Sequence, residues 1–442
     1  MRRGAAPSTT IALPVALAVL AALLAVVILG LCVALGIVLG TPREARASPS
    51  TAWAGVAGSA SVNPASPLAN TGVAATLAAN AAASLPTLAA HCPTGFVERA
   101  GRCYLDSIYQ HYDSLQGQGV GGLKTGLPQF RDGFTPQQID LGRLLFFDPL
   151  LSADRKVSCA HCHNPAHAFS DALARSRGEG GQEVARNAPS LWNVGFLNKL
   201  FLDGRANSLE EQVQGPLYGS KEMGNTPEAL RARINGVAAY RALFAAAYPD
   251  AADGIEARHV YAALAAFESS LVSLNSRYDL YANGVAGALS AHEIEGLNVF
   301  RSFVARCAEC HTPPLFSNQQ IAVIGMPQAS GTPFDPGAEA STHLNSMRGG
   351  FKVPSLRNVA LTAPYTHSGA FTQLRDVVAF YSKGRGHAVP ANEKLALHWH
   401  IWNPQLTDRE IDRVVDFLQT LTDESFMPAA PAVLPSGLQP GA

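Results

Sequence analysis

Two five-residue runs, Cys159-Ala-His-Cys162-His163 and Cys307-Ala-Glu-Cys310-His311, carry the most sharply defined chemistry in this 442-residue chain. In a C-x-x-C-H motif the two thiols add across the vinyl groups of a haem, and the histidine that follows becomes an axial ligand of its iron. Two such motifs predict two covalent c-type haems. With 7 Cys and 13 His in the chain, chance supplies roughly 0.003 such patterns. A zinc site would have to join Cys pairs far outside the usual ligand spacing, and a thioredoxin-like redox pair leaves both histidines unexplained.

The elements that must position these motifs read as helices, and strand signals are sparse. Capping signatures open helices at Thr135/Gln138, Ser208/Glu211, Ser290/Glu293 and Thr407/Glu410. Val260, Leu264, Phe267, Leu271 and Leu274 form an apolar stripe at helical spacing, and Ile294, Leu297, Phe300 and Val304 form another just before the second motif. The expected fold class is mainly α: two c-type cytochrome-like haem domains, preceded by an N-terminal hydrophobic helix and a disordered linker. The boundaries are 1–40 for a signal or transmembrane anchor, 41–90 for the Ala/Ser/Pro-rich linker and 91–134 for an N-terminal extension. The haem domains then take 135–286 and 287–425, with a disordered tail over 426–442.

A net charge of −1 gives no reason to expect nucleic acid as a partner. Arg2 and Arg3 precede thirty uncharged residues, Ile11 to Gly40, longer than a signal-peptide core and suited to a membrane span. The expected location is the periplasm, tethered to the inner membrane by residues 11–40. Ala45-Arg46-Ala47 offers a signal-peptidase site, so export after cleavage is the alternative. With four cysteines assigned to haems and Cys32 in the apolar run, Cys92 and Cys103 remain for a short-range disulfide, against two free thiols.

Several separated segments carry a family resemblance. Gly142-Arg-Leu-Leu-Phe-Phe-Asp148, Leu151-Ser-Ala-Asp-Arg-Lys-Val-Ser-Cys159, RNAPSLWN from Arg186, LDGRA from Leu202 and KVPSLRNVALTAPYTHSG from Lys352 together resemble the bacterial di-haem cytochrome c peroxidase and MauG superfamily over about residues 135–422. The resemblance implies a periplasmic enzyme in which His163 ligates a peroxidatic haem and His311 an electron-transfer haem. It places Glu222, Gln212 and Pro216 in the distal pocket, where a carboxylate can move the proton of bound peroxide during O–O cleavage. It further implies calcium between the haems, held by Asn187 and the backbone carbonyls of Thr362 and Pro364.

Three departures from the family pattern mark this chain, and the first two separate it from members that use a small cytochrome donor. Where those members carry a histidine that blocks the peroxidatic haem, residues 177–182 read Arg-Gly-Glu-Gly-Gly-Gln. His167 is the nearest spare imidazole and is expected to make only a local contact. At the position of the second haem's distal ligand stands Tyr381, as in the MauG branch, with Tyr365, His367 and Met347 as alternatives. A phenolate favours ferric iron. Leu202 replaces the tryptophan that bridges the haems, which leaves Trp192 or direct tunnelling to share oxidising equivalents.

These readings combine into a MauG-like di-haem peroxidase that reduces hydrogen peroxide at the expense of an electron donor: a small cytochrome, a cupredoxin or a protein substrate. A homodimer is a further expectation. The rival readings are a peroxide-detoxifying cytochrome c peroxidase with a small cytochrome donor, and a non-catalytic di-haem electron-transfer or sensor protein.

Overall fold

A hairpin begins the ordered fold, with β1 (Phe96–Arg99) antiparallel to β2 (Arg102–Leu105) and Phe96 opposite Leu105. A disulfide between Cys92 and Cys103 ties it to the chain before it. The computed structural model describes residues 86–110, 120, 123–384 and 386–441, inside one compact unit spanning Asn80–Ala442. The hydrophobic segment 1–40 and nearly all of the linker lie outside the described residues. Among the described residues no helix is long and apolar enough to cross a membrane. The last linker residues are docked: Leu88 packs on the first core and Ala89 N donates to Asp140 Oδ2 at 2.9 Å.

The helices in order are α1 (Pro136–Phe146), α2 (Cys159–Cys162), α3 (Leu209–Gln212), α4 (Gln214–Tyr218), α5 (Pro227–Gly236), α6 (Ala238–Ala247) and α7 (Ala257–Ser269). Then follow α8 (Arg277–Ala282), α9 (Ala291–Phe300), α10 (Cys307–Cys310), α11 (Glu339–Thr342), α12 (Leu374–Lys383) and α13 (Asp408–Gln419). A second small ladder pairs β3 (Ile321–Val323) with β4 (Gly350–Lys352). Capping boxes close at Thr135, Ser290 and Thr407. At Ser208 the box is half made, because the Glu211 carboxylate turns to Asn207 N instead.

The same packing device occurs twice. α1 crosses α7 so closely that a Cβ on Gly142 would lie 1.9 Å from Ala263 O, and α9 crosses α13 so closely that one on Gly296 would lie 1.8 Å from Arg413 O. Only glycine allows either approach. Around the first crossing Leu144, Phe146, Val260, Leu264 and Phe267 form one core with Phe169 and Trp192. Around the second, Leu297, Phe300, Val414 and Phe417 do so with Tyr278 and Phe316. Tyr278, Tyr281 and Ala282 pack into this second cluster, so α8 stands with the second core although it precedes residue 286.

Three expectations need correction. The first apolar stripe is buried throughout, but the helix stops at Ser269, so Leu271 and Leu274 reach the core from a loop. Val304 lies beyond the end of α9 and is 50 % exposed. The tail over 426–442, expected to be disordered, is described to residue 441 and folds back on the body around the first crossing. Leu434 is buried in its core, Ser436 Oγ donates to the buried Asp148 Oδ1 at 2.9 Å, and Gly441 N donates to Phe147 O at 2.9 Å. Leu434, the partly buried Leu438 packed on the same core and a buried acceptor outweigh a composition that suggested a free end.

Candidate active site: two paired haem cradles

Each C-x-x-C pair occupies a single helical turn, α2 and α10, with its histidine as the C-terminal cap. Residues three apart share a helix face, so both sulfurs point to the same side. His163 Nδ1 donates to Phe169 O at 3.0 Å, and His311 Nδ1 donates to Phe316 O at 3.0 Å. Each bond fixes the tautomer and leaves the Nε2 lone pair free for a metal. Burial lowers both histidines below the usual imidazole range, which keeps them neutral as ligands must be.

The two acceptors are built alike. Phe169 and Phe316 are both fully buried and both hold left-handed backbone, at φ 61° and 55°. For an aromatic residue this conformation is costly and marks a position the surroundings enforce. The enforcing segments form an internal repeat: Pro189-Ser-Leu-Trp-Asn193 and Pro354-Ser-Leu-Arg-Asn358. Ser190 Oγ donates to Ala168 O at 2.7 Å, and Ser355 Oγ donates to Leu315 O at 2.6 Å, each just before the critical phenylalanine. The fourth residue of each repeat backs the ring: Trp192 stands edge-on to Phe169 at 5.1 Å, and the Arg357 guanidinium lies 5.4 Å from the Phe316 ring.

Glu222 sits in a tight turn below α4. Gly219 O accepts from both Glu222 N and Gly224 N at 2.9 Å, and Pro216 O accepts from Met223 N at 3.0 Å. This joins Pro216 and Glu222 in one structure, while Gln212 ends α3, half-buried, just before the bend into α4. The loop without a histidine closes over the turn: Glu179 N donates to Glu222 O at 2.7 Å, and Gly178 lies too close to the Lys221 and Glu222 carbonyls to carry a Cβ. Burial raises the Glu222 carboxyl above its ordinary range, and the positive charge of Arg205 opposes the rise in part. The Cys162 thiol, itself pushed up to about 11 by burial, also feels the charges of Asp171 and Glu222. The Glu222 carboxylate is therefore close enough to the first motif for its charge to act on Cys162.

Tyr381 lies on α12, and burial raises its phenol, with the Cys310 and Cys307 thiols adding to the rise in that order. It thus lies within electrostatic reach of the second motif. His367 is committed elsewhere, stacked on Phe351 at 4.1 Å with Nε2 3.1 Å from Gln328 Oε1. Met347 ends a single 3-10 turn, Asn345–Met347, and His167 lies exposed in the turn after His163. Leu202 O accepts from Lys352 N at 2.7 Å. Lys352 is itself buried, and burial lowers its ammonium to about 8.

Asn187 N donates to His367 O at 2.8 Å and its Nδ2 donates to Leu173 O at 2.6 Å. This brings Asn187 beside the segment that carries Thr362 and Pro364. Among the described residues no three His, Cys, Asp or Glu side chains converge as a metal site. A cation here would depend on amide and carbonyl oxygens.

Residues 136–287 match the family described as di-haem cytochrome c peroxidase. The methylamine utilization protein MauG of Methylorubrum extorquens is 36 % identical over 290 residues, covering 66 % of this chain and 79 % of that protein. The cytochrome c551 peroxidase of Pseudomonas aeruginosa is 35 % identical over 290 residues, covering 65 % and 79 %. This chain belongs to the di-haem cytochrome c peroxidase family.

Solved structures agree with that membership. A MauG-like protein associated with microbial copper homeostasis superposes with a TM-score of 0.62 at 31 % identity, covering 68 % of this chain and 94 % of that one. The diheme peroxidase BthA from Burkholderia thailandensis gives 0.58 at 29 %, covering 70 % and 91 %. The chain is a mainly helical di-haem peroxidase, and its cradles fit haem c: sulfur pairs on one helix face, and histidines with Nδ1 already occupied. Sequence reasoning missed Phe169, Phe316, Arg205 and the serine anchors. The repeated P-S-L-x-N run was the available signal.

Proposed function

We propose that this peroxidase works as an exported, MauG-like enzyme whose first haem centre is open to peroxide at rest, with Glu222 as its acid–base group. The observation that carries the reading is the half-buried Glu222 carboxyl, within electrostatic reach of Cys162 and beneath a loop that lacks a histidine. Bound haem supplies the iron that takes up peroxide and the electrons that cleave its O–O bond. His163 would hold that iron through Nε2, and its bond to Phe169 O keeps the ring from rotating. Glu222 accepts the proton from the nearer peroxide oxygen and returns it to the departing one, so that H2O2, two protons and two electrons give two waters. Arg205 keeps enough of Glu222 ionised for the first transfer, and Gln212 and Pro216 border the pocket. Tyr381 would hold the second iron as a phenolate, and the positive charge of a bound iron would offset the cost that burial imposes on that anion.

Identities of 36 % to MauG and 35 % to a cytochrome c551 peroxidase do not choose between the two branches; Tyr381 and the sequence of residues 177–182 favour the first. Asn187, Thr362 and Pro364 would hold calcium, with waters completing its shell. The periplasm is the expected site of action, because thioether formation and the Cys92–Cys103 disulfide both belong to an export route. The donor is a small redox protein or protein substrate, and the segment 11–40 is the proposed tether. Stopped-flow mixing of ferric wild type and Glu222→Gln with peroxide tests the proposal. Peroxide should still bind the variant, with O–O cleavage slowed about 10²–10⁴-fold; an unchanged rate would refute the role of Glu222. In wild type the rate should rise with pH through a value above the ordinary carboxylate range, since burial holds the proton on longer.

A further inference from the structure

Two exposed indoles lie against the second haem motif. Trp402 is 40 % and Trp399 is 68 % exposed. Trp402 Nε1 donates to Val304 O at 2.9 Å, and its ring lies 5.4 Å from the guanidinium carbon of Arg306, the residue immediately before Cys307. Trp399 contacts the ring of His400 at 3.5 Å between centroids. His400 Nε2 is 3.0 Å from Glu309 Oε2, and Glu309 is the residue immediately before Cys310. Each indole therefore reaches a residue next to a sulfur-bearing residue of the second motif through a short run of contacts, and the two runs meet where Arg306 Nε lies 4.0 Å from Glu309 Oε1. The segment that carries both is tied down, with His398 N donating to Val323 O of β3 at 2.8 Å.

We propose that Trp399 and Trp402 form a surface redox port at which one-electron donors are oxidised without contact with either iron. Reduction of peroxide requires two electrons. In this port each electron leaves an indole for the peroxide-oxidised haem centre, leaving an indole cation radical, and a donor touching the exposed ring returns it. The Trp402 N–H, bonded to Val304 O, keeps its proton, so only the electron moves. Tryptophan is among the few side chains whose oxidation a peroxidase can drive, and a half-exposed ring presents its face to a donor while its edge stays packed on the protein. The chemical class served is the outer-sphere one-electron donor, one that gives up an electron on contact and transfers no atom. The inference rests on the peroxidase reading and extends it to where the donor acts.

The test uses the full holoprotein, the double variant Trp399→Phe/Trp402→Phe, and the dye ABTS as donor, two dye molecules losing one electron each per peroxide. Dye turnover should fall by at least about tenfold in the variant, while the reaction of the resting ferric protein with one equivalent of peroxide keeps its wild-type rate. In wild type given peroxide and no donor, peptide mass spectrometry should find oxygenated tryptophan at 399 and 402, suppressed when the dye is added. Normal peroxide consumption with unchanged dye turnover would overturn the port alone, as would oxidation mapping to Trp192 rather than to the surface. A wild-type protein that leaves peroxide unconsumed would sink the peroxidase reading and the port together.

Discussion

Removing the Arg357 guanidinium should loosen the second cradle. Arg357 and Asp279 form a bidentate ion pair at 2.6 and 2.7 Å, with both side chains fully shielded from solvent. Asp279 also accepts from Tyr109 OH, Ser276 N and Ser276 Oγ at 2.5–2.7 Å, so it joins the N-terminal extension to α8. Arg357 Nε donates to Pro314 O at 2.8 Å, two residues before the carbonyl that orients His311. Arg357→Leu fills part of the volume but strands a buried carboxylate and frees a buried carbonyl. Breaking such a pair from one side costs about 3–5 kcal/mol. Urea titrations of the two holoproteins, followed by absorbance of the second haem, measure the loss. Adding Asp279→Asn to Arg357→Leu should recover part of it, because the uncompensated charge is then gone. A loss under about 1 kcal/mol, or no recovery in the double variant, would refute the reasoning.

Glu268 is buried on α7, and burial raises its carboxyl from the ordinary 4.5 to about 8, with Glu210 adding to the rise and Arg131 opposing it. Between those values the folded chain holds a proton that the unfolded chain has released. Stability should therefore be greatest below the lower value and fall by a few kcal/mol as pH rises through the upper one. Glu268→Gln should flatten that decline in denaturant titrations at several pH values, and parallel profiles for the two proteins would contradict it. Tyr381→Phe should open the second haem and raise its reduction potential, since the anionic donor that favours ferric iron is lost. Spectroelectrochemistry decides this: unchanged low-spin signals and potential would move the ligand to Tyr365 or Met347.

Much of the site was legible in the sequence because covalent haem attachment demands fixed spacing. Cys159, Cys162 and His163, like Cys307, Cys310 and His311, need one helical turn and a cap, and local sequence specifies both. The capping boxes at Thr135, Ser290 and Thr407 were readable for the same reason, since each is closed within four residues. What escaped was long-range. No local pattern marks Phe169 or Phe316 as left-handed, because Ser190 and Ser355 impose that backbone from 21 and 39 residues away. The folding of the tail onto Asp148 depends on an acceptor nearly three hundred residues earlier. The apolar stripe kept its period past the end of α7, because Leu271 joins the first core from a loop and Leu274 is buried in a separate cluster with Leu105, Tyr109, Phe196 and Leu315.

The central claim is that the haem held by His163 has an open position while the haem held by His311 does not. An electron paramagnetic resonance spectrum of the fully oxidised holoprotein tests it most directly, because five-coordinate ferric haem is high-spin and ferric haem with two strong axial ligands is low-spin. The account predicts one high-spin and one low-spin signal, with the high-spin signal lost in His163→Gly and the low-spin signal altered in Tyr381→Phe. Two low-spin signals in the resting protein would contradict it, since a side chain would then occupy the position that Glu222 is proposed to serve.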